Sequence, residues 1–195
     1  MYTRALIAVM MILAASLGPA YADEVTDTIR EALKEYRKGA YRSATETLEY
    51  ASQLIMQKRA GRLRALLPAP LPGWSAEDAE SQAIGPAMAG VKVGIFASRR
   101  YRKDSGSVTV TISTDIPLLK MQMFNPMLGA PPNARMRRIK GQKAFAEYSP
   151  KDKSGKLSIV AAERFFITVE GDGVPEDVLE AYAERIDYKR LSALP

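Results

Sequence analysis

KAFAEYSPKDKSGKLSIVAAERFFITVEGDG, residues 143–173, is the stretch that decides the fold class. It holds three short runs rich in apolar, β-branched and aromatic residues: Lys143 to Tyr148, Lys156 to Ala162 and Arg164 to Glu170. Each reads as a strand bounded by turn residues. Pro150 to Gly155 forms one turn, and Gly171-Asp172-Gly173 closes the last strand. Upstream, Met136 to Lys140 is a fourth candidate, set off by a tight break or bulge at Gly141-Gln142.

The pattern extends in both directions. Val93, Ile95 and Ala97 alternate with Gly94, Phe96 and Ser98, leading into the basic run Arg99-Arg100-Tyr101-Arg102-Lys103. A turn at Asp104-Ser105-Gly106 follows. Val108, Val110 and Ile112 then alternate with Thr109, Thr111 and Ser113, which predicts a hairpin with the preceding strand. After Pro117, the segment Leu118 to Leu128 is apolar and Met-rich, a short helix or a loop lying on the sheet. Pro175 suits a first helical position, and Leu179, Tyr182, Ala183 and Ile186 share one face of a final helix. The order points to an α+β chain: a mostly antiparallel sheet covered by helices and preceded by a helical hairpin.

That hairpin is read at residues 23–67. Val25, Ile29, Ala32, Leu33 and Tyr36 fall on one helical face; Gly39 ends that helix. Tyr41, Ala44, Leu48, Ala51, Leu54 and Ile55 begin a second, which Pro68 stops. Residues 68–73 (Pro-Ala-Pro-Leu-Pro-Gly) form a stiff connector and the expected domain boundary. Residues 74–191 make the expected sandwich domain, with Trp74 as a core anchor at its edge and 75–90 as irregular loop.

Residues 1–22 read as a cleavable signal peptide. Arg4 is the only charge; an apolar run of 13 residues extends from Ala5 to Leu17; Gly18-Pro19 and Ala20-Tyr21-Ala22 follow. A bilayer span needs roughly 20 residues. The expectation is a periplasmic or secreted protein, cleaved near Ala22, with no transmembrane segment in the mature chain.

From Asp23 onward the chain carries 27 Lys and Arg against 22 Asp and Glu, an excess compatible with an anionic surface but too small to call for nucleic acid. Cys and His are both absent. That removes the usual zinc sites, Cys nucleophiles and Ser-His-Asp triads, leaving carboxylate, Lys or Tyr chemistry. No cofactor is expected.

Ala32, Gly39, Tyr41, Ala44, Leu48 and Ala51 match, in order and spacing, the small, turn and aromatic positions of a tetratricopeptide hairpin, which the segment resembles as a single copy. The C-terminal part looks like the small sandwich domains of exported bacterial proteins, including PsbP-like ones, and the whole chain is similar to exported proteobacterial proteins. These likenesses imply fold and carry no activity.

Two groups of residues are candidate sites. Arg99, Arg100, Arg102 and Lys103, with Arg135, Arg137, Arg138 and Lys140, would line one edge if their strands were neighbours and attract an anionic surface or acidic partner. The competing reading is edge protection by Lys and Arg. Leu119, Met121, Met123, Phe124 and Met127 form the second group, an apolar contact surface if exposed and core if buried. Thioethers at Met121 and Met123 suit Cu(I), but no His or Cys strengthens such a site. The function expected is a non-enzymatic binding or scaffolding module whose partner is another envelope protein or an anionic surface. The alternatives are a carrier of a lipid or hydrophobic ligand, and a hydrolase using carboxylates or Tyr.

Overall fold

The computed structural model describes residues 23–83, 94–114 and 134–194. The chain is α+β. Helices α1 (Glu24–Arg37) and α2 (Tyr41–Arg64) precede strands β1 (Ser75–Ala76), β2 (Glu80–Ala83), β3 (Ile95–Lys103), β4 (Gly106–Thr114), β5 (Arg135–Ile139), β6 (Gln142–Ser149), β7 (Ser154–Ala161) and β8 (Phe165–Asp172). Two short helices, α3 (Glu176–Glu184) and α4 (Tyr188–Ser192), end it. Two compact units divide between Leu54 and Ile55, inside α2 and ahead of the proline run.

In the first unit α1 ends in a Schellman motif. Gly39, at φ 78°, donates its N–H to the Tyr36 carbonyl at 3.0 Å, and Ala40 N–H reaches the Glu35 carbonyl at 3.1 Å. The left-handed residue reverses the chain so that α2 returns along α1. Val25, Thr28 and Ala32 on α1, and Ala44 and Ala51 on α2, are buried. Alanine allows close helix approach. The Glu35 carboxylate accepts hydrogen bonds from the Ser43 and Thr47 hydroxyls, which together hold it below the usual carboxylate range. At the far end Tyr50 Oη donates to Glu24 Oε1 at 3.0 Å.

The second unit is built on one antiparallel sheet in the order β1-β3-β4-β8-β7-β6-β5, with β2 pairing β3 beside β1. Alternation fixes its core face. Ala97 and Tyr101 on β3, Val108, Val110 and Ile112 on β4, Ile167 and Val169 on β8, Leu157 and Ile159 on β7, and Ala144 and Ala146 on β6 all point one way. Helix residues Ala60, Leu63, Leu179, Tyr182, Ala183 and Leu191 belong to the same core.

Four local features differ from the sequence expectation. The basic run lies wholly within β3, which pairs with β4 over nine positions from Ile95↔Thr114 to Lys103↔Gly106. Residues 75–83 contain β1 and β2, polar edge strands held to β3 by backbone pairing, a bond invisible to hydrophobic periodicity. The final helix stops at Glu184, and Asp187, accepting from Arg190 N–H at 2.9 Å, starts α4. The break near Gly141 is a two-residue hairpin turn, Lys140-Gly141, with φ of 45° and 82°, the primed geometry that matches strand twist.

The proline run is strapped down. Tyr101 Oη donates to the Pro68 carbonyl at 2.6 Å, Leu71 N–H to Tyr182 Oη at 3.4 Å, and Arg185 Nη1 to the Pro70 carbonyl at 3.2 Å. Tyr182 sits between Tyr101, at 4.4 Å between ring centroids, and Trp74, edge-on at 5.5 Å.

Burial of these phenols gives a prediction for alkaline pH. Desolvation pushes Tyr101 up to about 12 and also raises Tyr182 and Tyr188. In the unfolded chain a tyrosine ionises near 10. Because the folded-state values are raised, the stabilisation is complete below pH 10 and is lost as pH climbs through about 12. Urea midpoints should therefore stay flat in this respect from pH 7 to 9 and fall above 10, with phenolate absorbance from these rings appearing above the ordinary tyrosine range. Ionisation of every tyrosine near pH 10 in the folded protein would contradict this burial.

Candidate binding surface

The two basic runs lie on separate strands of the sheet. β4, β8, β7 and β6 stand between β3 and β5. At about 4.8 Å per strand this separates the runs by roughly 24 Å, so they do not form one edge. Within each run alternation divides the side chains. Arg99 turns to the core face beside Tyr101, and its Nε is buried without a hydrogen-bond partner. Arg100 and Arg102 point to the other face, where Arg100 Nε contacts Thr109 Oγ1 at 3.4 Å and Arg102 pairs with Glu77. Lys103 ends the strand and is exposed.

On β5, Arg135 Nη2 meets both Glu176 oxygens at 3.0 Å; Arg137 bridges Glu176 at 3.2 Å and Glu180 at 2.6 Å. Glu176 and Glu180, one helical turn apart on α3, thus clamp that helix to β5. The arginine side chains are 35% to 57% exposed, where such pairs contribute about 0–1 kcal/mol each. Arg138 and Lys140 are exposed. Leu119, Met121, Met123, Phe124 and Met127 lie outside the described residues.

Two concavities among the described residues of the second unit are small. One, lined by Arg59, Arg62, Leu63, Ile95, Phe165 and Leu194 among others, has a free volume of about 20 Å³, near that of one water. Another, beside Tyr148, Leu157 and Leu179, has about 10 Å³. A larger space of about 390 Å³ on the first unit is an open groove lined by Arg30, Glu31, Lys34, Glu35 and Lys38. Ligand pockets for drug-sized molecules enclose ≈300–1,000 Å³ within mostly apolar walls, which none of the three does. Among the described residues no three His, Cys, Asp or Glu gather as a metal site, and no helix is long and apolar enough to cross a membrane.

Among the described residues, exposed apolar surface gathers on the helical pair. Six of the eight exposed large hydrophobic residues among those described fall between Ile29 and Tyr50; the other two are Ile55 and Met136. Ile29, Leu33 and Tyr36 occur at i, i+4 and i+7 on α1, and are 43%, 47% and 61% exposed. Tyr41 and Leu48, seven residues apart on α2, are 64% and 52% exposed. The Tyr36 and Tyr41 rings meet at 5.5 Å across the turn, so the two rows form one continuous stripe. The sequence places all five on helical apolar faces. It does not separate them from the alanines, which occupy the seam because the smaller side chain permits the closer packing.

A scan of protein-family models finds no match to the chain, and a search of curated proteins finds none.

Proposed function

We propose that the protein is an exported, non-enzymatic binding or scaffolding module of the cell envelope, engaging its partner through the stripe Ile29, Leu33, Tyr36, Tyr41 and Leu48. The observation that carries this reading is the concentration of exposed large apolar side chains on one unit. A contiguous apolar patch with aromatic residues is costly to leave in water and is the usual mark of an interaction site. Export is supported by the apolar run from Ala5 to Leu17 followed by Ala20-Tyr21-Ala22.

The test is crosslinking in intact cells followed by tagged purification of the envelope fraction. Wild-type protein should yield a discrete crosslinked species. Leu33→Glu/Leu48→Glu should reduce that species at least tenfold while circular dichroism stays unchanged, since both sites are exposed. Equal yields from the double variant would refute the reading.

A further inference from the structure

We propose that the stripe is covered by the same stripe of a second copy, so that two hairpins close into a four-helix bundle. The proposal rests on the binding reading above and names its partner. Three observations lead to it.

The first is spacing. Ile29 and Tyr36, and likewise Tyr41 and Leu48, are seven residues apart, the repeat that keeps apolar side chains facing a near-parallel helix. The stripe runs over both helices of the pair, so its complement is another two-helix face rather than a single strand or loop. A second copy supplies such a face, and a two-fold arrangement closes on itself without leaving a new apolar surface.

The second is area. Five side chains of this size, each about half exposed, offer roughly 500 Å² per copy, and about 1,000 Å² for the pair, at the lower limit for a specific interface.

The third is charge. At 100° per residue, the flank of α1 turned away from α2 carries Arg30 and Arg37. The corresponding flank of α2 carries Glu49, and Glu46 paired with Arg42 at 3.1 Å. A two-fold axis parallel to the helices lays α1 over α2 of the other copy and brings Arg30, now 2.9 Å from Asp27, toward Glu49. An axis perpendicular to the helices would lay α1 over α1 and bring arginine flanks together. The charges select the first arrangement.

Sedimentation equilibrium of the protein purified from the envelope fraction tests this. A reversible, weak monomer–dimer equilibrium is expected, as for other interfaces at the low end of the size range. Leu33→Glu, and independently Tyr36→Ser, should weaken it at least tenfold with unchanged circular dichroism. Arg30→Glu should weaken it several-fold, and Arg30→Glu/Glu49→Arg should restore it. A wild-type monomer at 100 µM, or a dimer indifferent to both stripe variants, overturns the proposal; a charge swap that fails to restore association overturns the arrangement. If the wild type is monomeric yet Leu33→Glu/Leu48→Glu still abolishes the envelope crosslink, self-pairing is wrong and the binding reading stands. If the crosslink also persists, both fall.

Discussion

Tyr182→Ala is expected to lower the stability of the second unit by about 3–5 kcal/mol, the range for truncating a large buried aromatic side chain. Tyr182 is fully buried, and its ring contacts both Tyr101 and Trp74. Its hydroxyl also accepts the Leu71 N–H. Truncation therefore opens a cavity beneath the proline strap, removes two aromatic contacts and strips one partner from the strap backbone. Against a typical total of about 5–15 kcal/mol, such a loss brings the unit close to unfolding. Tyr182→Phe keeps the rings and should cost only about 1 kcal/mol. Urea denaturation of both variants checks this, and an Ala variant within 1 kcal/mol of wild type would mean that the cluster does not hold the strap.

Gly155→Ala is expected to be nearly as damaging, at about 3 kcal/mol, the upper part of the overpacking range. Gly155 lies on β7 between Tyr148 of β6 and Gly171 of β8. A Cβ there would stand 2.5 Å from the Glu147 carbonyl oxygen, 2.7 Å from Tyr148 Cδ2 and 3.0 Å from Tyr148 Cα. Backbone cannot turn aside as a flexible side chain can, so β6 and β7 must separate. The ring cannot easily move either, because Tyr148 Oη donates to the Val174 carbonyl at 2.9 Å. Gly61 is the matched control. It lies in α2 with nothing within 4 Å of an added Cβ, so Gly61→Ala should stabilise by about 0.5–1 kcal/mol. Thermal and urea midpoints should move in opposite directions for the two substitutions. A shift of the same sign would undermine the close approach at Gly155.

Those two sites also show what the sequence reveals of the fold. The strands from β6 to β8 are legible because Ala144 and Ala146, Leu157 and Ile159, and Phe165, Ile167 and Val169 alternate as a one-sided core requires. Gly39 and Pro68 likewise bracket the second helix from sequence alone. β1 and β2 are not legible, since Ser75, Ala76 and Glu80 to Ala83 join the sheet through backbone groups that every residue possesses. Nor is the strap, whose Tyr101–Pro68 bond links residues 33 apart, or the Arg137–Glu180 pair, 43 apart. Propensity and periodicity act over a few residues; these contacts exist only once the sheet has formed.

The candidate surfaces divide in the same way. Basic runs stand out in a sequence because charge is visible residue by residue, whereas their meaning depends on strand order. Four intervening strands separate the runs at Arg99 and Arg135, and Glu176 and Glu180 engage part of the second. The stripe shows the opposite relation. Its residues were visible as apolar helix positions, but exposure depends on which of two adjacent rows takes the seam. Volume decides that in favour of Ala32, Ala44 and Ala51.

The most direct test of the central claim is whether the stripe is covered where the protein works. The chain contains no cysteine, so a single Leu33→Cys substitution reports on that position alone. Maleimide labelling should be slow in intact envelopes and at high protein concentration, and should become fast on dilution of the purified protein. A Lys151→Cys control on the exposed β6–β7 turn should label quickly throughout. Leu33→Cys labelling as fast as the control under every condition would contradict the account.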